Sequence, residues 1–124
     1  MRNPATLVSK VASAVAIIGS LALAPTVITA QEGPSLVEQG KKVAFDRRKG
    51  NCLACHAIAG GDLPGTIGPP LIAMKARYPD KSKLRAQIYD ARLANPGTSM
   101  PPYGPHGILS NEEIDKIVEF IYTL

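Results

Sequence analysis

The sequence predicts an all-α domain preceded by a secretory signal peptide. Three observations carry that prediction. Two serines each stand three residues ahead of a glutamate, Ser35 with Glu38 and Ser110 with Glu113. That spacing is the capping-box signature of a helix start. Ile114, Ile117, Val118 and Ile121 recur at the i, i+3, i+4, i+7 spacing of one helix face. No stretch of useful length alternates apolar and polar residues as a half-buried strand would.

Before Glu32 the only charges are Arg2 and Lys10, and Val11–Leu23 is an uncharged apolar run of 13 residues. Pro25 breaks the run, and Ala30 supplies a small residue at its end. A basic start, an apolar core and a small-residue cleavage site are the order of a signal peptide, with cleavage expected after Ala30. A retained membrane anchor is the weaker alternative, because a spanning helix needs roughly 20 residues. The absence of a twin-arginine pair points to export as an unfolded chain. Residues 1–30 are thus expected to be a cleaved signal and residues 31–124 the mature domain.

In the mature part, Ser35 opens a first helix of about ten residues that reaches to around Asp46. Gly40 lies inside it, at a cost of roughly 1 kcal/mol relative to Ala, which marks a place where another backbone approaches. Seven of the eleven residues from Gly60 to Pro70 are Gly or Pro, which forbids regular structure there. A short helix is expected over residues 71–78, stopped by Pro79. Asp80 caps the next, with Leu84, Ile88 and Leu93 as its buried stripe and Asn95-Pro96-Gly97 as its end. Thr98–Gly107 is irregular, and Ser110 opens the last helix.

Composition narrows the function. The first thirty residues hold 18 of the 56 hydrophobic residues, and all six aromatics lie beyond them. A mature chain this short, with 19 Gly and Pro, buries only a modest core and needs a cofactor, metal, disulfide or partner to complete it. Its net charge is +2 once Arg2 and Lys10 are removed, too mild for nucleic-acid binding. Arg47-Arg48-Lys49 reads first as a solvated face and second as a docking patch for an acidic partner.

One motif carries chemistry. Asn51-Cys52-Leu53-Ala54-Cys55-His56 contains Cys-x-x-Cys-His, the pattern of covalent c-type haem attachment. Two thiols one turn apart reach the two vinyl groups on one porphyrin edge and form thioethers. The histidine that follows swings its imidazole under the ring as the proximal iron ligand. Bacterial haem attachment of this kind happens outside the cytoplasmic membrane, which agrees with an export signal. A thioredoxin-like redox pair needs a strand-led fold and zinc needs a different ligand spacing, which leaves a plain structural disulfide as the third competing alternative.

Iron then needs a sixth ligand or an open site, and Met74, Met100 and His106 are the candidates. Met74 sits in an expected helix, where methionine usually fills core. Met100 is followed by Pro101-Pro102, which stiffen a loop just before the last helix and suit it to present sulfur. The reading favours Met100 over His106 or an open site. Thioether ligation raises the potential and closes iron to small ligands, which favours electron transfer over oxygen chemistry. Tyr103, close behind, is expected to pack over the haem.

With these residues in place the chain resembles a class I cytochrome c. The resemblance implies that the first and last helices cross with Gly40 at their contact, and that Gly68-Pro69-Pro70-Leu71 is the Gly-Pro-x-Leu haem loop. It also implies that the Pro69 carbonyl supports His56 through its other ring nitrogen. Phe45 lies five residues after Gly40, where the family has its aromatic at four. Within that class, Gly50–His56, Gly61–Leu71 and Asn95–Gly104 are similar to the SoxX subunit of sulfur-oxidising bacteria, over most of residues 36–124.

That likeness implies a periplasmic monohaem subunit paired with a SoxA-type cytochrome. The pair joins thiosulfate oxidatively to a cysteine of the SoxYZ carrier, an L-cysteine S-thiosulfotransferase reaction whose catalytic site lies in the partner. The SoxX-type chain takes up the electrons and passes them to a small acceptor cytochrome. No catalytic residue is expected here, since both cysteines are consumed by haem. The alternative is a freestanding electron carrier of the same fold.

Overall fold

The computed structural model describes residues 33–124. The signal peptide expected over residues 1–30 lies outside the described residues, and so does Gln31, where the mature domain is expected to begin. Four α-helices follow: α1 (Leu36–Phe45), α2 (Met74–Arg77), α3 (Lys81–Tyr89) and α4 (Asn111–Ile121). Two short 3-10 turns, Cys52–Ala54 and Ala91–Leu93, complete the regular structure, and no strand occurs among the described residues.

Both expected capping boxes form. Ser35 Oγ accepts from the Glu38 amide at 3.2 Å, and Glu38 accepts from the Ser35 amide at 2.8 Å. Ser110 and Glu113 repeat the exchange at 3.2 and 3.0 Å. Each box satisfies two of the donors that a helix start leaves free.

The helices α1 and α4 make the most extensive contact in the domain. A Cβ at Gly40 would stand 1.9 Å from the Lys116 carbonyl oxygen, so only glycine lets the two backbones come this close. Ala44 is wholly buried beside it. Phe45 meets Phe120 edge to face, with ring centroids 5.7 Å apart and planes at 85°. The five-residue spacing from Gly40 therefore still delivers an aromatic pair at the crossing, worth about 0.5–1.5 kcal/mol beyond its buried area. The stripe Ile114, Ile117, Val118, Ile121 is buried throughout. Each of these side chains contributes roughly 1.5–3 kcal/mol as an upper bound.

Two elements differ from expectation. The short helix begins at Met74 rather than at residue 71. The Leu71 amide instead donates to the Ala57 carbonyl at 2.9 Å, and Ala73 takes a left-handed conformation, φ 50°, which no α-helix accommodates. The helix α3 stops at Tyr89, well short of Asn95. Asp90 turns extended and caps the next turn, its carboxylate accepting from the Arg92 amide at 3.2 Å and from the guanidinium at 2.8 Å. An aspartate that offers its own acceptor competes with the helix ladder at such a point. Leu93, expected in the buried stripe, is consequently 81 % exposed, while Leu84 and Ile88 are buried.

Surface ion pairs tie α3 to α4: Lys81 to Glu119 at 3.0 Å and Arg85 to Asp115 at 2.6 Å. Exposed pairs of this kind add little stability individually. The inner faces of these two helices, Leu84 and Ile88 on one and Ile117 and Ile121 on the other, line a cavity of about 440 Å³. Much of the apolar core thus faces a space that the chain itself does not fill.

Candidate haem site

One wall of the cavity is built by the loop after α1. Asn51 bends the chain with φ 46°, a left-handed conformation that asparagine tolerates better than most residues. The Cys52 carbonyl then accepts from both the Cys55 amide, at 3.2 Å, and the His56 amide, at 2.9 Å. This single turn gathers Cys52, Cys55 and His56 onto the cavity lining. Burial pushes the Cys52 thiol up to about 11. A thiol that resists ionisation is a poor nucleophile for disulfide exchange, which speaks against a redox Cys-x-x-Cys pair.

The Gly/Pro stretch that follows is stitched to this turn by backbone hydrogen bonds. Gly65 donates to Leu53 at 2.7 Å, Gly68 to Cys55 at 2.8 Å and Leu71 to Ala57 at 2.9 Å. The stitching sets the Pro69 carbonyl oxygen 2.7 Å from His56 Nδ1. A carbonyl only accepts, so Nδ1 carries the proton and Nε2 keeps its lone pair for a metal. A Cβ at Gly68 would stand 2.4 Å from His56 Cε1, so the imidazole lies directly against that backbone.

The opposite wall is the segment after α3. Asn95 Oδ1 accepts from the Gly97 amide and Thr98 Oγ1 from the Met100 amide, each at 3.1 Å. Short polar side chains thus hold two tight turns in succession, and Pro101 and Pro102 stiffen the chain beyond them. Met100 is partly buried and lines the cavity. Met74, 2 % exposed, lines it too. His106 is exposed and lies outside the lining. Tyr103 is buried against the cavity, and its hydroxyl donates to the Gly50 carbonyl at 2.6 Å. Burial, with Cys52 and Cys55 nearby, pushes its phenol well above the usual tyrosine range.

Arg77 is the one charged side chain among the residues lining the cavity. Its guanidinium donates to the Pro70 carbonyl at 2.9 Å and lies 3.4 Å from Met74 Sδ. Sequence reasoning passed over Arg77. Its i, i+3 spacing from a buried methionine was the available signal. Of the basic run, Arg47 and Arg48 are exposed, while Lys49 pairs with Glu113 of α4.

The donor set suits iron held in a macrocycle better than a bare ion. No group of three or more His, Cys, Asp or Glu side chains clusters for a metal among the described residues. The space is lined by one imidazole with a free Nε2, two cysteines a turn apart, thioether sulfur, apolar side chains from α3 and α4, and a single cation. An apolar ring with carboxylate tails and a central metal fits that chemistry.

Comparisons with known proteins agree. The cytochrome c family model matches residues 37–124. A chain of the crystal structure of SoxXA from P. pantotrophus matches with a TM-score of 0.64 and 29% sequence identity, covering 73% of this chain and 82% of that one. A relative from Aquifex aeolicus (strain VF5), named an uncharacterized lipoprotein, is 35% identical over 99 residues. The match takes in 73% of this chain but 47% of the relative, so the chain spans about half that protein's length. These likenesses bear out both the all-α class I cytochrome c fold and the resemblance to SoxX. With a Cys-x-x-Cys-His turn on a cavity shaped by the helices that the family model spans, the chain belongs to the cytochrome c family, as an electron-transfer protein carrying covalent haem c.

Proposed function

We propose that the chain is the electron-accepting, SoxX-type subunit of a thiosulfate-oxidising cytochrome complex in the periplasm. The observation that carries this reading is the likeness to a chain of SoxXA over most of the helical domain. Residues 1–30 serve as the export signal and are removed after Ala30, which leaves residues 31–124 as the cytochrome c domain. The partner is a SoxA-type cytochrome that holds the catalytic site. Contacts with the SoxYZ carrier and with a small acceptor cytochrome are transient.

Haem c bound here supplies a reversible one-electron couple. The chain's own residues determine how it is held. Cys52 and Cys55 would hold it through thioethers, and His56 Nε2 would bind its iron. The Pro69 carbonyl fixes the His56 tautomer and makes the imidazole a stronger donor. Met100 would supply the second iron ligand, its thioether favouring the reduced state and excluding small molecules. Arg77 would offer its positive charge to the group's carboxylates. With both cysteines committed, no thiol remains to act as a sulfur nucleophile, which suits an electron acceptor rather than the catalytic subunit.

Purification from the periplasm of thiosulfate-grown cells, with haem staining of whatever accompanies the chain, tests the assignment. A second c-type cytochrome in stoichiometric amount is expected. A lone monomer under those conditions sinks the subunit reading and leaves the freestanding carrier.

A further inference from the structure

Tyr103 does more than cover the cavity. It joins the two walls that would carry the two axial ligands. On one side its hydroxyl donates to the Gly50 carbonyl, 2.6 Å away and two residues before Cys52. On the other it follows Met100 after only Pro101 and Pro102, so little slack separates it from the sulfur. Its own carbonyl accepts from the Ile108 amide at 2.9 Å and the Leu109 amide at 3.2 Å. The next residue, Gly104, donates to the Tyr89 carbonyl at 3.0 Å, fastening the same point to the end of α3.

The phenol hydroxyl is buried, and the Gly50 backbone it reaches is buried as well. A buried hydroxyl without a partner is costly, so the bond holds the tyrosine to one position. No other hydrogen bond among the described residues joins residues 95–104 directly to residues 50–56. Elsewhere the Met100 segment is held by turns within itself and by its fastenings to the end of α3 and to the loop before α4. If Tyr103 lets go, the Met100 segment retains its internal turns but loses its register against the Cys-x-x-Cys-His turn.

We infer that the Tyr103 hydroxyl is a latch that sets the position of Met100 relative to the His56 wall, and so governs how readily the sixth iron site opens. Tyr103 is a positioning residue: it acts through the Met100 segment. This rests on Met100 being the sixth ligand. An external ligand enters only from the open state, so its apparent affinity rises in proportion to the open fraction.

The experiment titrates the ferric holoprotein with imidazole and follows the weak long-wavelength absorption band that reports sulfur ligation. Tyr103→Phe keeps the ring and its burial and removes only the donor. The expected result is an apparent imidazole affinity about 3- to 10-fold higher than wild type, the range that one hydrogen bond supplies. Val118→Ala, a buried site on α4 outside the cavity lining, is the stability control and should leave the affinity at the wild-type value while lowering the melting temperature.

An unchanged affinity in Tyr103→Phe overturns the latch, as does an equal rise in both variants. Absence of the band in wild-type ferric protein overturns the Met100 assignment itself, a different failure.

Discussion

At the residue scale, the haem-attachment wall is fixed by single contacts, the Pro69 carbonyl on His56 Nδ1 and the Tyr103 hydroxyl on the Gly50 carbonyl. Cys52, Cys55 and His56 announce themselves because the chemistry demands closely spaced positions. The bond between Tyr103 and Gly50 joins residues 53 positions apart, and no local pattern encodes it. Arg77 was hidden for a related reason, since its role depends on where Pro70 and Met74 fall in space. Gly68 offers a direct test of the His56 support. Alanine there would place its Cβ 2.4 Å from the imidazole, forcing the ring to tilt away from Pro69. Gly68→Ala is expected to lower the yield of haem-bearing protein and to raise its reduction potential, because a weaker imidazole donor stabilises ferric iron less. A potentiometric titration that matches wild type would count against the support. Met100→Ala should bind carbon monoxide in the ferrous state where wild type does not, read from the Soret shift. If neither protein binds it, another residue holds that site.

At the element scale, the helices with two independent signals were placed well. The starts of α1 and α4 rest on capping boxes, and the buried face of α4 rests on its stripe. The end of α3 was misplaced because Asn95-Pro96-Gly97 reads as a stop while Asp90 ends the helix earlier with its own carboxylate, and Leu93, five residues past Ile88, is already off the stripe's face. Periodicity reports a face but not its limits. The crossing of α1 and α4 predicts that Gly40→Ala destabilises the fold by about 1–3 kcal/mol, because a backbone carbonyl cannot rotate out of the way. Thermal melting checks this, and a melting temperature equal to wild type would contradict the close approach.

The ion pair between Lys49 and Glu113 fastens the haem-attachment loop to α4. The hydrogen bond from Lys49 holds the Glu113 carboxyl below the usual carboxylate range, aided by the Ser110 amide. Stability from Glu113 is therefore present above that range and lost as pH falls through the lowered value. Lys49 is raised by the same bond, so its share is present below its ordinary value and lost only as pH climbs through the raised one. Glu113→Gln preserves the capping box and removes the charge. Its melting temperature should fall below wild type near neutrality and converge with it in acid. A gap that stays constant with pH would show that the ion pair contributes nothing.

For the whole molecule, the shortage of aromatics in the mature chain and the cavity of about 440 Å³ are two views of one fact. Left empty at about 24 cal/mol per Å³, such a space would cost up to roughly 10 kcal/mol, as much as a small domain's entire stability. A double variant, Cys52→Ser with Cys55→Ser, should therefore retain helical far-ultraviolet dichroism but lose the near-ultraviolet signal of fixed packing. Retention of a native near-ultraviolet spectrum without haem would contradict this. The crossing of the first and last helices also governs timing. On the proposed export as an unfolded chain, Gly40 reaches the far side of the membrane before Lys116, the residue whose backbone it must touch. Until Lys116 follows, the domain cannot close, and Cys52, half-buried once it does, stays within reach of incoming porphyrin.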